Sequence, residues 1–177
     1  IANQLGRSPS ELFRMLDGSQ VSLAIRILDQ LGALACILPE LGSLKGVNQS
    51  APHVSNVWDH TISVVQHLER LLLPLVGAYH EENAADLTVG SAVLWLGRFR
   101  HLLERHYNQA IVPERSRRAL LFMAALYHDV AKPVVSAEMP GGKIRFLDHQ
   151  TQGANIVAQR ARELALSSQE CSWGFPH

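Results

Sequence analysis

Residues 119–127 are apolar on every side, and they run directly into His128-Asp129. A helix that is apolar all round is a buried central helix. A carboxylate buried there without a partner costs several kcal/mol, so the pair must be hydrogen-bonded, ion-paired or bound to a metal ion. Adjacent helical residues project about 100° apart and can converge on one ion at the helix end. Two more histidines sit at predicted element termini, His60 in the first turns of an amphipathic helix and His149 at the start of the last one. Side chains from separate helices can meet at such ends. A hydrogen-bonded trio of His60, His128 and Asp129 without metal is the plainer reading. The ligand reading is preferred because the three positions fit together.

The chain has nine histidines, and imidazole serves both as metal ligand and as acid or base. His53 lies in the loop before His60 and reads as a plain loop residue. His67 shares the face of His60 two turns on and reads as packing or surface. His80, His101, His106 and His177 have no companions and read as solvated.

The elements that must position these groups are helices. Ser8-Pro9-Ser10-Glu11 has the form of a capping box with proline at the first helical position. A helix over 19–31 carries an apolar stripe at Val21, Ala24, Ile25, Leu28 and Leu31, and Gly32 stands where a C′ glycine belongs. Breakers at Gly46, Asn48, Ser50 and Pro52 predict a loop over 44–53. The spacing predicts helices over 55–73, ending before Pro74, and over 91–110. Pro113 is expected to open the central helix. Residues 134–135 and 143–147 flank Pro140-Gly141-Gly142 and predict one small hairpin. The last helix starts at Asp148 or His149, and helical patterning fades after Ser168.

At 177 residues the chain can bury a substantial core. Hydrophobic residues make up 47%, charged residues 18%, and 16 basic residues balance 16 acidic ones, which disfavours disorder and a generally basic nucleic-acid coat. Two cysteines are too few for a disulfide scaffold. No apolar run is long enough to span a bilayer. A cytoplasmic setting without membrane contact is expected. The chain starts at Ile1 without a recognisable signal peptide, and reads as a piece of something longer.

These residues resemble the HD superfamily of metal-dependent phosphohydrolases, named for ligands of the form His…His-Asp…Asp. The likeness extends to the HD region of bacterial tRNA nucleotidyltransferases and poly(A)-polymerase-like proteins. It is carried by Leu38-Pro39-Glu40-Leu41, Lys45-Gly46-Val47-Asn48-Gln49, Val57-Trp58-Asp59-His60-Thr61, the run 124–133 through His128-Asp129, and the run 144–149 followed by Gly153-Ala154. It covers roughly residues 20–168.

The resemblance implies an all-α HD helical bundle with a small hairpin insert and an N-terminal helical appendage. The expected division is a helical linker region over 1–46 and an HD domain over 47–177, incomplete at its C-terminus. His60, His128 and Asp129 are the implied ligands, and His149 resembles the extra histidine that serves a second ion. Such a donor set suits Mn, Ni, Zn, Fe or Co, as one or two ions. Lys132 follows by one turn and is expected either to touch a substrate phosphate or to act as a cation at the helix end.

The implied activity is hydrolysis of phosphomonoesters or nucleotide 2′,3′-cyclic phosphodiesters, with a phosphorylated nucleotide or RNA end as partner. The alternative is a catalytically silent RNA-positioning or structural module. It draws on the closing Asp of the superfamily, which has no counterpart after Asp148. No Asp-x-Asp occurs in the chain, so the nucleotide-adding motif is not in it. Arginines at 98, 100, 105, 115, 117 and 118 lie among Trp95, Phe99 and Tyr107. A weak RNA surface at Arg115, Arg117 and Arg118 is one reading, and a solvated face covering apolar surface is the other.

Overall fold

The computed structural model describes residues 9–49, 55–77, 87–141 and 143–175. The expected cap at Ser8 and the histidines at 53, 80 and 177 lie outside them.

Among the described residues the architecture is all-α, with two short hairpins. Helices α1 (Pro9–Leu16), α2 (Val21–Gln30) and α3 (Leu34–Ile37) lead into a 3-10 segment over Pro39–Gly46. Helix α4 spans Val57–Val76, α5 spans Leu87–Leu96 and α6 spans Arg100–Asn108. Strands β1 (Ala110–Val112) and β2 (Arg115–Ser116) precede α7 (Arg117–Tyr127). Then come α8 (Lys132–Val135), β3 (Ser136–Met139), β4 (Lys143–Phe146), α9 (His149–Glu163) and α10 (Ser168–Gly174).

Helix α7 is the central rod, packed against α1, α4, α6 and α10. Its Leu120, Phe122, Met123 and Leu126 are buried, as the apolar run requires. Helix α4 buries Val57, Trp58, Thr61, Ile62 and Val65, a stripe spaced three and four apart. Side chains from Leu12 in α1 to Leu164 beyond α9 join one hydrophobic cluster, so the N-terminal helices share the core of the rest. Gly32 closes α2 with φ at 71°, a left-handed position that suits glycine.

Several sequence expectations shift. Pro74 lies inside α4 and does not end it. A proline near a helix C-terminus forfeits one hydrogen bond but leaves the last turn intact, and Gly77 closes the helix. The helix expected over 91–110 is broken by a 3-10 turn at Gly97–Phe99. Pro113 opens a tight turn instead of α7, with Glu114 at φ 65° and β1 antiparallel to β2. Ser116 caps α7, its Oγ accepting from the Ala119 N–H at 3.1 Å. The hairpin at Gly141 forms, pairing Ser136 with Phe146 through Met139 with Lys143, while Val134 and Val135 belong to α8. The tail after Ser168 is helical, because Ser167 and Glu170 form a capping box.

Candidate metal centre

The site forms where the N-terminal turns of α4 meet the C-terminal end of α7. Asn56 starts α4, its Oδ1 accepting from the Asp59 N–H at 2.8 Å. The Val57 N–H donates to the Val47 carbonyl and ties that start to the preceding loop. His60 flanks the buried stripe of α4 and stays partly exposed. His128 is the C-cap residue of α7, and Asp129 lies in the turn that follows.

Donor atoms of His60, His128 and Asp129 lie within 4.8 Å of one another. The Asp129 Oδ2 is 3.1 Å from His128 Nε2 and 3.8 Å from His60 Nε2. The two imidazole rings stand edge to face with centroids 5.4 Å apart. Asp129 is buried at 6% exposure, while both imidazoles keep about a third of their side-chain surface open to solvent.

The second nitrogen of His128 decides what the cluster wants. Its Nδ1–H donates to the Ala125 carbonyl at 2.7 Å, leaving Nε2 pointed at the carboxylate. A neutral imidazole in that tautomer presents a lone pair to Oδ2, which is repulsive. Either the ring is imidazolium, or a cation lies between the two acceptors. Burial opposes charge on His128, but the hydrogen bonds to Asp129 and the Ala125 carbonyl outweigh it and raise the pKa. Burial likewise opposes charge on Asp129, and the contacts from His128 and Lys132 outweigh it, holding the carboxyl well below the usual range. Two imidazoles and a carboxylate are a borderline donor set suited to a transition metal, and three protein ligands leave positions open for water and substrate.

Residues 57–173 match the family model of the HD domain. The chain belongs to the HD domain family. That membership places it in the metal-dependent phosphohydrolase superfamily. A relative is the CC-adding tRNA nucleotidyltransferase of Thermus thermophilus, 32% identical over 152 residues. The alignment covers 85% of this chain and 25% of that protein, so the chain spans about a quarter of its length.

Other expected site residues fall around the HD cluster. His149 starts α9 and is half-buried, its Nδ1–H donating to the Phe146 carbonyl at 3.0 Å. Among the described residues it is not part of the three-ligand group. Lys132 begins α8 and is buried. Its ammonium donates to Asp129 Oδ2 and Gln49 Oε1, both at 2.7 Å, and lies 5.1 Å from the centre of the Phe146 ring. His67 is exposed on α4 and donates to the Ser63 carbonyl.

The arginines divide, with Arg98 and Arg105 exposed and Arg100, Arg115 and Arg118 held by partners within the fold. Arg115 is mostly buried, donates to Glu170 and the Ala165 carbonyl, and lies over the Phe13 ring. Arg118 donates to the Asp17 carboxylate and its carbonyl. Arg100 donates to the Gly77 carbonyl and covers the end of α4. Arg115 and Arg118 tie α10 and α1 to the start of α7, which corrects the reading of an RNA surface there.

Sequence reasoning assigned no role to Gln49, Phe146 or the Glu40 network. Glu40 accepts from Tyr127 Oη at 3.0 Å and from Arg160 at 2.6 Å. This locks the 3-10 segment, α7 and α9 together one residue before His128. Burial first, and then the Glu40 charge, push the Tyr127 pKa far up. The usable signal was a tyrosine hydroxyl and a lysine in an apolar run, each of which needs a partner.

No helix among the described residues is long and apolar enough to cross a membrane.

Proposed function

We propose that the chain is a metal-dependent phosphohydrolase domain, hydrolysing phosphomonoesters or nucleotide 2′,3′-cyclic phosphodiesters, with His60, His128 and Asp129 as ligands. The observation that carries this is the Nε2 of His128 aimed at Asp129 Oδ2 while its Nδ1 is committed to a carbonyl. A bound divalent ion would supply Lewis acidity toward a phosphoryl oxygen and a lowered pKa for a water molecule. The chain's own residues supply the rest. The Ala125 carbonyl orients His128, and Lys132 holds Asp129 in place while sharing its charge. Lys132 is thus a positioning residue, its ammonium engaged by Asp129, Gln49 and Phe146. His149 is the residue that would serve a second ion.

The relative's name supports a phosphorylated nucleotide or an RNA end as substrate. The reading keeps residues 1–46 as a linker region, 47–177 as the HD domain, and a cytoplasmic setting. A second reading, a catalytically silent RNA-positioning or structural module, is favoured by one observation: Lys132 already neutralises the Asp129 carboxylate from within.

The test is elemental analysis of the wild type and of the double variant His128→Ala, Asp129→Ala after soaking with Mn, Ni or Zn. Hydrolysis of p-nitrophenyl phosphate and of 2′,3′-cyclic AMP is assayed alongside. About one ion per chain or more, lost in the double variant together with hydrolysis, supports the phosphohydrolase. A wild type that takes up no ion and cleaves neither substrate leaves the silent module.

A further inference from the structure

We propose that the outer face of α5 is the interface of a symmetric dimer, in which a second copy of this chain packs its own α5 across a two-fold axis at Ser91. The inference is independent of the HD cluster, none of whose three ligands lies in this stretch of the chain.

Composition argues first for a covered helix. Residues 87–97 contain no charged side chain. A helix without a charged face belongs in an interior. Helix α5 nevertheless buries only Val89 and lies against α4. Its Leu87, Leu94 and Trp95 are 86%, 79% and 72% exposed, and Phe99 and Leu102 just beyond it are exposed as well. A large apolar side chain carries on the order of 200 Å², so these five leave on the order of 700 Å² open to water. The largest apolar patch of a monomer measures about 300–600 Å². A stable association takes about 800 Å² from each partner. The exposed area is therefore of interface size. Its residue types agree, because interface centres are rich in tryptophan, other aromatics and arginine. Arg98 lies over the Phe99 ring at 4.7 Å.

Spacing argues for a second copy as the occupant. A two-fold interface must be complementary to itself. Leu87, Ser91 and Trp95 stand four residues apart and share one face of α5. In an antiparallel pair of α5 helices centred on Ser91, Leu87 of each copy meets Trp95 of the other. The side chain at the crossing point is then a short one, which sets a close approach of the two helix axes. Charge does not oppose the pairing. Arg98 lies seven residues beyond Ser91, so the two arginines stand about 20 Å apart along the axis, beyond the reach of screened repulsion.

The experiment is sedimentation-velocity ultracentrifugation of the full chain over a range of concentrations. Ser91 is exposed, so Ser91→Arg and Ser91→Glu leave the core of the monomer intact, and circular dichroism checks the fold. The expected wild type is a dimer with a dissociation constant on the order of micromolar. Each variant should weaken it at least about a hundredfold, because like charges then meet at the axis. An equimolar mixture of the two variants should dimerise within about tenfold of the wild type, because opposite charges then meet there. That recovery belongs to a self-paired face, since mixing does not rescue a charge placed against any other partner. Trp95→Ala should weaken the dimer at least about tenfold. A wild type that stays monomeric at about 100 μM overturns the proposal and leaves the face to a different protein. Dimerisation unchanged in both Ser91 variants overturns it as well, by placing the interface elsewhere. So does a mixture that stays as weak as its components, or an assembly that keeps growing beyond the dimer, because neither has a two-fold axis at Ser91.

Discussion

The two ends of α7 carry charged groups in similar density and use them differently. At the N-terminal end, Arg115 and Arg118 meet Glu170 and Asp17, and each pair closes a contact between helices. At the C-terminal end, one carboxylate oxygen is shared by His60, His128 and Lys132. The first arrangement is complete within the chain. The second converges several groups on one atom and leaves the imidazoles partly open to solvent. Charge density in sequence therefore says little about function until the partner of each group is known.

The largest effect is expected from removing that shared atom. Asp129→Ala should weaken metal binding by at least about a hundredfold, read as the dissociation constant for Mn or Zn. Affinity retained within a few-fold would mean that the ion, if bound, lies elsewhere. At the other end, Arg115→Ala should lower stability by about 3 kcal/mol in urea denaturation, because it leaves the almost fully buried Glu170 without its cation. Metal uptake by the folded variant should be unchanged. A joint loss of stability and metal would show that the two ends are not independent.

Acidity separates the ends more gently. The pKa of His128 in the fold lies above its ordinary 6.5. Its imidazolium therefore stabilises the metal-free fold fully below pH 6.5, and that contribution disappears as pH rises through the raised value. A metal ligand must be neutral, so metal affinity should climb across the same window. Asp129 is depressed and adds no step near neutrality. Titration of metal affinity from mildly acidic to mildly alkaline pH checks this, and a flat profile would remove His128 from the ligand set. The smallest effect belongs to Tyr127→Phe, about 1 kcal/mol by denaturation, for one hydrogen bond to Glu40.

Much of the fold was legible because helices announce themselves locally. The stripe on α4 and the all-round apolar run of α7 are periodic signals, and both helices form where those signals lie. The misread boundaries share one cause. Pro74, Pro113 and the stretch after Ser168 were judged from the breaker or the loss of periodicity alone. A late proline costs one hydrogen bond, a β-turn competes for Pro113, and a capping box supports α10 without a long apolar stripe. Within the site, His60, His128 and Asp129 were legible from residue type and position. His149 lies outside the three-ligand group, and Lys132 is buried against Asp129.

By itself the sequence determined an all-α chain with a buried central helix ending in His-Asp, and the identity of the groups that chemistry at that end must use. Periodicity and the cost of burying a carboxylate act within a few residues, so a string of letters carries them. Only the tertiary structure decided who faces whom. Glu170 reaches Arg115 across 55 positions, and Gln49 reaches Lys132 across 83. Arg117 donates to His106, while Arg118 next to it is held by Asp17. Electrostatic pairing depends on distances in space, and helix packing sets those distances.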